Sequence, residues 1–302
     1  MSSQISIQHS EVSTWLTASY GMQRCASLSP AALALCAVQA LVDEAELTPK
    51  PALVDMRGSG AHRDLSLSLL VRSAQTLGPW FLRIAQAAHG RPANIALRER
   101  LGLLGREAED AMMNATEGVN THRGAIWALG LLVAAASQSP DLREAAICRR
   151  AALLASLPDR NAVSRNTHGT EARRRYGAGG ARSEAEAGFP NALHIGLPAL
   201  HAGRHAGHTE SHARLDALLS IMTTLEDTCL LHRGGAKALK AAHDGAARVL
   251  ALGGASTIVG MTALLQLHDA LISLWASPGG SADMLSATLF LDRVSAMQES
   301  NE

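Results

Sequence analysis

Twelve consecutive residues, Ala125 to Ala136, carry no charge. A stretch apolar all round demands cover on every side, and it falls short of the roughly 20 residues that span a bilayer. It reads as a buried helix around which other elements must assemble. The residues just before it are polar: Glu117, Asn120, Thr121, His122 and Arg123 fall within seven positions. Thr121 is the predicted N-cap, its hydroxyl accepting from a free backbone N–H of the first turn. Arg123 then sits at the positive end of the helix, beside amides that favour an anion. A plain capped core helix has the same appearance, and the rest of the chain has to separate the two.

Composition says what surrounds this helix. Of the 302 residues 47% are hydrophobic but only 3% aromatic, and Ala and Leu dominate the apolar set. That balance favours helices, since strands draw on β-branched and aromatic residues. No alternating strand pattern and no fixed repeat occurs. The expectation is an all-α protein, with residues 1–302 forming one bundle-like domain of about ten helices and a long irregular excursion near 158–212. Lys plus Arg equals Asp plus Glu at 27 each. A zero balance argues against nucleic-acid or membrane-surface binding, which needs a basic excess. The first Lys or Arg is Arg24, so no charged region precedes an early apolar run as in a secretion signal. The cysteines at 25, 36, 148 and 229 form no C-x-x-C pair and read as free thiols of a cytoplasmic protein.

Along the chain, Val12 to Glu46 reads as helix in two pieces, with Ser29 capping the second and Pro30 in its first turn. The pair Pro49 and Pro51 forces an extended path. Further helices are predicted at Leu65–Ala88, Ile95–Met113, Asp141–Leu157, Leu215–Leu231, Ala236–Leu252, Ile258–Trp275 and Ala282–Met297, with a stop at Gly234-Gly235.

Five polar clusters stand at helix ends: Lys50 to Asp64, Glu117 to Arg123, His168 to Glu186, Asp227 to Arg233, and Ser277 to Asp283. In a bundle such ends can converge on one pocket. Gly58-Ser59-Gly60 and Gly279-Gly280-Ser281 each precede a predicted helix, where backbone N–H groups bind phosphate, although a turn plus a cap explains either equally well. No Walker A pattern exists. Asp55 and Asp64 are candidates to hold Mg²⁺, and capping is their bland alternative. Glu226 and Asp227 read as a solvated helix face. Lys50, between two prolines, has a restricted reach. His201, His205, His208 and His212 have a spacing that suits zinc on a helix, but Gly203 and Gly207 weaken that helix, so a solvated, partly mobile linker is the preferred reading.

Taken together, VDMRGSGAHRDLSL, GVNTHRGAIWALGLL, YGAGGARSEAEAGFP, DTCLLHRGG and SPGGSADMLSATLFLDR resemble the triphosphoribosyl-dephospho-CoA synthases. The resemblance runs from about Leu47 to Arg293, with the five motifs in the family's order. It is closest to the branch that serves malonate decarboxylase, on LTPKPALVD and NTHRGAIWALGLL. Ala52 departs from the glycine expected in LTPKPGLVD.

The resemblance implies a transferase that joins the triphosphoribosyl part of ATP to a ribose hydroxyl of 3'-dephospho-CoA and releases adenine. The product is the precursor of the prosthetic group of the decarboxylase's acyl-carrier subunit. Such chemistry needs a carboxylate near a developing oxocarbenium ion, a base for the attacking hydroxyl, an acid for adenine, and Mg²⁺ with cations for the phosphates. On this basis Asp55, Asp64 and His122 are the expected catalytic residues, with Asp55 and Asp64 as metal ligands. Lys50, Arg57, Ser59, His62, Arg63, Asn120, Arg123, Gly279, Gly280 and Ser281 are expected to bind substrate, with Arg182, Glu184, Asp227 and His232 behind them. Two other readings stay open: a metal-dependent all-α hydrolase of nucleotides or ADP-ribosyl groups, and a non-catalytic module that binds CoA or a carrier.

Overall fold

A computed structural model describes residues 28–162 and 168–299, and these hold helices and no strand. The protein is all-α. The part of the first predicted helix before Leu28, and Cys25, lie outside the described residues. The helices are α1 (Pro30–Glu46), α2 (Leu67–Thr76), α3 (Gly78–Ala88), α4 (Ile95–Ala115), α5 (Arg123–Ser137), α6 (Glu144–Ser156), α7 (His168–Tyr176) and α8 (Gly180–Glu186). A π-helical turn at Asn191–Gly196 follows, then α9 (Leu197–His205), α10 (Glu210–Met222), α11 (Thr228–Ala251), α12 (Ile258–Ser273) and α13 (Gly279–Glu299).

The chargeless stretch is the axis of this arrangement. Helix α5 packs against α1, α3, α4, α6, α8 and α13. Leu129, Leu132, Val133 and Ala134 are fully buried; a side chain the size of leucine contributes about 1.5–3 kcal/mol on such burial. One continuous core runs from Leu28 to Val294. Helix α1 begins as its sequence dictates: Pro30 lies in the first turn and the Ser29 hydroxyl accepts from the Ala32 amide.

Four sequence expectations are corrected. The helix predicted over Leu65–Ala88 is two helices, because Pro79 opens α3 and cannot continue the hydrogen-bond ladder of α2. The helix predicted over Leu215–Leu231 is interrupted after Met222. Asp227 then caps α11 through the amides of Cys229 and Leu230. Within α11 the predicted glycine stop is real, with Gly235 at φ +64°.

Thirdly, most of the excursion near 158–212 is helical. Its glycines lower intrinsic propensity, but burial of Leu197 and Leu200 outweighs that. Gly203 lets α9 and α10 approach, since a Cβ there would come 2.9 Å from that of Ala213. His201 Nε2 meets Asp292 Oδ1 at 2.9 Å and His208 Nε2 meets the Ser256 hydroxyl at 3.2 Å, so these histidines tie elements together. They belong to packed helices and not to a solvated linker, and among the described residues no group of three or more His, Cys, Asp or Glu is placed to hold a metal.

Finally, Thr121 does not cap α5. Its hydroxyl lies 2.6 Å from that of Ser73, and Asn120 Oδ1 accepts from the Arg123 amide instead.

Candidate active site

The N-terminal ends of α5, α11 and α13, with the 50–66 loop, enclose a cavity of about 230 Å³. Its walls carry Glu44, Lys50, His62, Asp64, Asn120, His122, Arg123, Cys229, His232, Arg233, Ser277, Gly279 and Asp283, among others. Four of the five sequence motifs therefore meet at one place, as convergent helix ends in a bundle can. Arg123 also lines a second cavity on the far side of α5.

His122 occupies the junction of the polar and apolar halves of the anchor stretch. It is 4% exposed, and its Nδ1 lies 2.8 Å from the Ser73 hydroxyl. Its Nε2 is buried, has no partner in the protein, and the ring is on the cavity wall. An unpaired buried polar atom is expensive unless a ligand completes it. Burial, with the nearby Lys50 ammonium, lowers its pKa to about 4, so the ring is neutral near pH 7.

His62 is fixed from both sides. The Arg233 guanidinium donates to Nδ1 at 3.1 Å, which leaves Nε2 protonated and donating to the Ser277 hydroxyl at 2.8 Å. Its pKa is lowered to about 4 by burial and by Arg233. A protonated Nε2 cannot take a proton from Ser277, so this pair is no serine–histidine nucleophile.

Asp283 lies near the start of α13, just past its first turn, and faces the first turn of α5, where the Ala125 amide donates to its carboxyl group. The group at the positive end of α5 is thus a carboxyl group of the protein itself. Gly124 makes this possible, because a Cβ there would overlap the Asp283 carboxyl group. Burial, with Glu44 and Asp227 nearby, pushes the pKa of Asp283 well above the usual carboxylate range. Burial, with Asp227 and Asp283 nearby, pushes the pKa of the Cys229 thiol well above its ordinary value. Lys50 is 1% exposed and its ammonium donates to the carbonyl and carboxylate of Glu44, both at 2.6 Å. It reaches the cavity as half of an ion pair.

Several predicted residues stand elsewhere. Asp55 is 4% exposed and off the cavity wall. Its carboxylate accepts from the amides of Lys50 and Arg57 and from Arg57 Nε, and so holds the loop together. Asp55 and Asp64 therefore do not share one face of the site. The Gly58 amide donates to the Asp55 carbonyl, and seven residues separate Ser59 from the start of α2 at Leu67, so this loop is no helix-end phosphate cradle. Arg57 braces Asp55, and Arg63 stacks on Trp275 at 4.8 Å.

Asp227, read from sequence as solvated, is 1% exposed. One oxygen caps α11, and the other accepts from the Ser281 amide and hydroxyl at 2.8 and 3.0 Å. It fastens α11 to α13. Gly280 leaves room for that carboxylate, with a Cβ coming 3.0 Å from Asp227 Oδ1. His232 is on the wall, with Glu171 3.4 Å away. Arg182 pairs with Glu186, and Glu184 accepts from the backbone and side chain of Asn191. Neither lines this cavity.

Sequence reasoning missed Glu44, Cys229, Arg233, Ser277 and Asp283. The last four lie inside motifs already singled out: Cys229 and Arg233 between Asp227 and Gly234-Gly235, and Ser277 and Asp283 on either side of Gly279-Gly280. Glu44, mid-helix, gave none. Ala52 adopts φ +55° with its amide donating to His268. That left-handed conformation explains why glycine is expected there.

The fold and the cavity define an all-α enzyme in which carboxylates, histidines and arginines converge at helix N-termini, a setting for anionic substrates. The sequence profile of the ATP:dephospho-CoA triphosphoribosyl transferase family matches residues 30–302, and the chain belongs to that family. It is 55% identical over 268 residues to a probable 2-(5''-triphosphoribosyl)-3'-dephosphocoenzyme-A synthase of Pseudomonas aeruginosa, covering 88% of this chain and 91% of that protein. It is 52% identical over 263 residues to the 2-(5''-triphosphoribosyl)-3'-dephosphocoenzyme-A synthase of Klebsiella pneumoniae, covering 87% and 94%. A probable synthase of the same name from Azotobacter vinelandii is 54% identical over 264 residues, covering 86% and 90%. No solved structure matches. The enzyme is a transferase. Among the described residues no helix is long and apolar enough to cross a membrane.

Proposed function

We propose that this chain transfers the 5-triphosphoribosyl group of ATP to a ribose hydroxyl of 3'-dephospho-CoA, releasing adenine. We assign the product to the prosthetic group of malonate decarboxylase, destined for its acyl-carrier subunit, on the likeness of LTPKPALVD and NTHRGAIWALGLL to that branch. Family membership supports the reaction, and the observation that carries the site is the unpartnered Nε2 of His122 on a wall shared with Asp283.

In this reaction the bond between the ATP ribose and adenine breaks and a bond from the acceptor oxygen to the same carbon forms. Adenine gains a proton and the acceptor hydroxyl loses one. Asp283, whose carboxyl pKa is pushed well above the usual carboxylate range by burial and acidic neighbours, is the acid for the departing adenine. His122 is neutral, and with Nδ1–H directed to Ser73 its Nε2 is free to accept the hydroxyl proton. A weak base suffices, because an oxygen already bonding to an oxocarbenium carbon is strongly acidic. Arg123 and Arg233 offer charge to the phosphates. Asp64, exposed at the mouth, fits Mg²⁺, which beside a triphosphate asks for only one or two carboxylates and compensates phosphate charge.

The test is adenine release. Purified protein is incubated with ATP, Mg²⁺ and 3'-dephospho-CoA and the mixture resolved by chromatography with mass detection. The expected result is adenine one-for-one with a triphosphoribosyl adduct, dependent on dephospho-CoA. Adenine with free ribose triphosphate makes the protein a hydrolase, and no adenine from a folded preparation makes it a binding module.

A further inference from the structure

The second cavity, of about 330 Å³, lies between α4 and α5 and shares Arg123 with the first. It falls within the ~300–1,000 Å³ typical of ligand pockets. Its floor is apolar, with Ile84, Leu101, Ile126 and Leu131. Arginines rise from that floor. Arg98 is 8% exposed, its Nε has no partner in the protein, and its guanidinium lies over the Trp127 ring at 5.1 Å. Its approach to Asp159 is 3.7 Å, beyond hydrogen-bond range. Trp127 is held in place by its indole N–H, which donates to the Ala181 carbonyl of α8.

Gly105 is a second and independent sign. It lies inside α4 on the cavity wall, and a Cβ there would meet nothing within 4 Å. Glycine inside a helix is destabilising relative to alanine, and here no close packing requires it. The space beside Gly105 is open because the cavity is open. By contrast Gly102 is occupied by necessity, since a Cβ there would overlap the Asp159 carboxylate.

The geometry points to this cavity as the seat of the uncharged pantetheine arm of the acceptor, with the acceptor's diphosphate at Arg123 between the two cavities. The identity of the acceptor rests on the transferase reading above. The chemical fit is specific to one of the two substrates. ATP carries charge along its whole tail, and the transfer reaction puts its uncharged adenine beside Asp283, which leaves nothing of it for Ile84, Leu101 and Leu131. Dephospho-CoA joins a diphosphate to a long arm of methylene, gem-dimethyl and amide groups. Such an arm matches an apolar floor crossed by guanidinium donors, with the unpartnered Arg98 Nε facing an amide carbonyl. The ribose of the same molecule is then left on the Asp283 side of Arg123, where the transfer takes place.

The experiment is calorimetric titration of the full chain with 3'-dephospho-CoA and with ADP, which keeps the diphosphate and lacks the arm. Wild type is compared with Gly105→Leu, whose side chain enters the cavity and whose helix propensity is higher. Wild type is expected to bind dephospho-CoA at least tenfold more tightly than ADP. The variant should lose at least tenfold in dephospho-CoA affinity and change by less than twofold for ADP. Gly105→Met, with a more adaptable side chain, replaces it if circular dichroism shows the leucine variant unfolded. Unchanged dephospho-CoA affinity in a folded variant overturns the assignment, as does an equal loss for both ligands. Adenine release by wild type is read separately. Arm-dependent binding without adenine release retains the cavity and removes the transferase, whereas adenine release with a binding-neutral variant does the reverse.

Discussion

Asp283, near the start of α13, and Gly124, in the first turn of α5, meet face to face, so closely that a Cβ at position 124 would overlap the carboxyl group. The contact places an acid against the positive end of the buried helix, on the wall of the cavity. It couples a backbone requirement in one motif to a functional group in another.

Gly124→Ala should therefore act through Asp283. Alanine favours the helix by up to about 1 kcal/mol, so the fold should persist while the carboxyl group moves aside. We expect kcat for adenine release to fall at least 100-fold, with Tm within a few degrees of wild type. Normal turnover in this variant would detach Asp283 from the chemistry.

Asp283→Asn keeps the shape and removes the proton. Loss of a general acid lowers kcat by about 10²–10⁴-fold. Stability should move the other way. The folded pKa of Asp283 is raised, so the folded state binds this proton more tightly and the group destabilises increasingly as pH rises above the ordinary carboxylate range. Urea unfolding at pH 7 should find the variant at least as stable as wild type. That advantage should shrink as pH is lowered towards 4.

His122 supplies the opposite slope. Its folded pKa of about 4 lies below the unfolded value of 6.5, so the unfolded chain gains a proton first as pH falls. Stability is full above about pH 6.5 and is lost as pH drops towards 4, by roughly 3 kcal/mol at the limit. His62, lowered to about 4 by burial and Arg233, adds in the same direction. His122→Asn should flatten the slope between pH 6.5 and 4 and reduce turnover at least 100-fold. An unaltered slope would mean that His122 gains its proton without unfolding.

The two aspartates of the 50–66 loop should separate cleanly. Asp64→Asn is expected to abolish turnover with Tm unchanged, because the side chain is exposed at the cavity mouth. Asp55→Asn should lower Tm by several degrees, since a buried carboxylate bonded to two amides and a guanidinium is lost. Equal behaviour of the two in kinetics and melting would refute the division.

Much of the site was legible before folding. His62, Asp64, Asn120, His122, Arg123, His232 and Gly279 line the cavity, and each stands in a motif dense in polar residues at a helix end. Asp55 was misplaced because capping a loop and binding a metal use the same residue type. Arg182 and Glu184 share a motif with no reach into this cavity, although Ala181 beside them anchors Trp127 of the second.

By itself the sequence determined the local structure: a charge-free stretch that had to be buried, the Ser29-Pro30 start of α1, the Gly235 interruption of α11, and an alanine- and leucine-rich composition that gives helices and no strand among the described residues. These follow from backbone sterics, hydrogen bonding to near neighbours and hydrophobic periodicity, all of which act over a few residues. Tertiary structure alone decided which carboxylate has its pKa raised and which is spent on a lysine. It also decided that Asp227 fastens two helices and that Arg123 divides two cavities. Those outcomes depend on desolvation and on charges brought close from distant parts of the chain, and neither exists until the helices have packed.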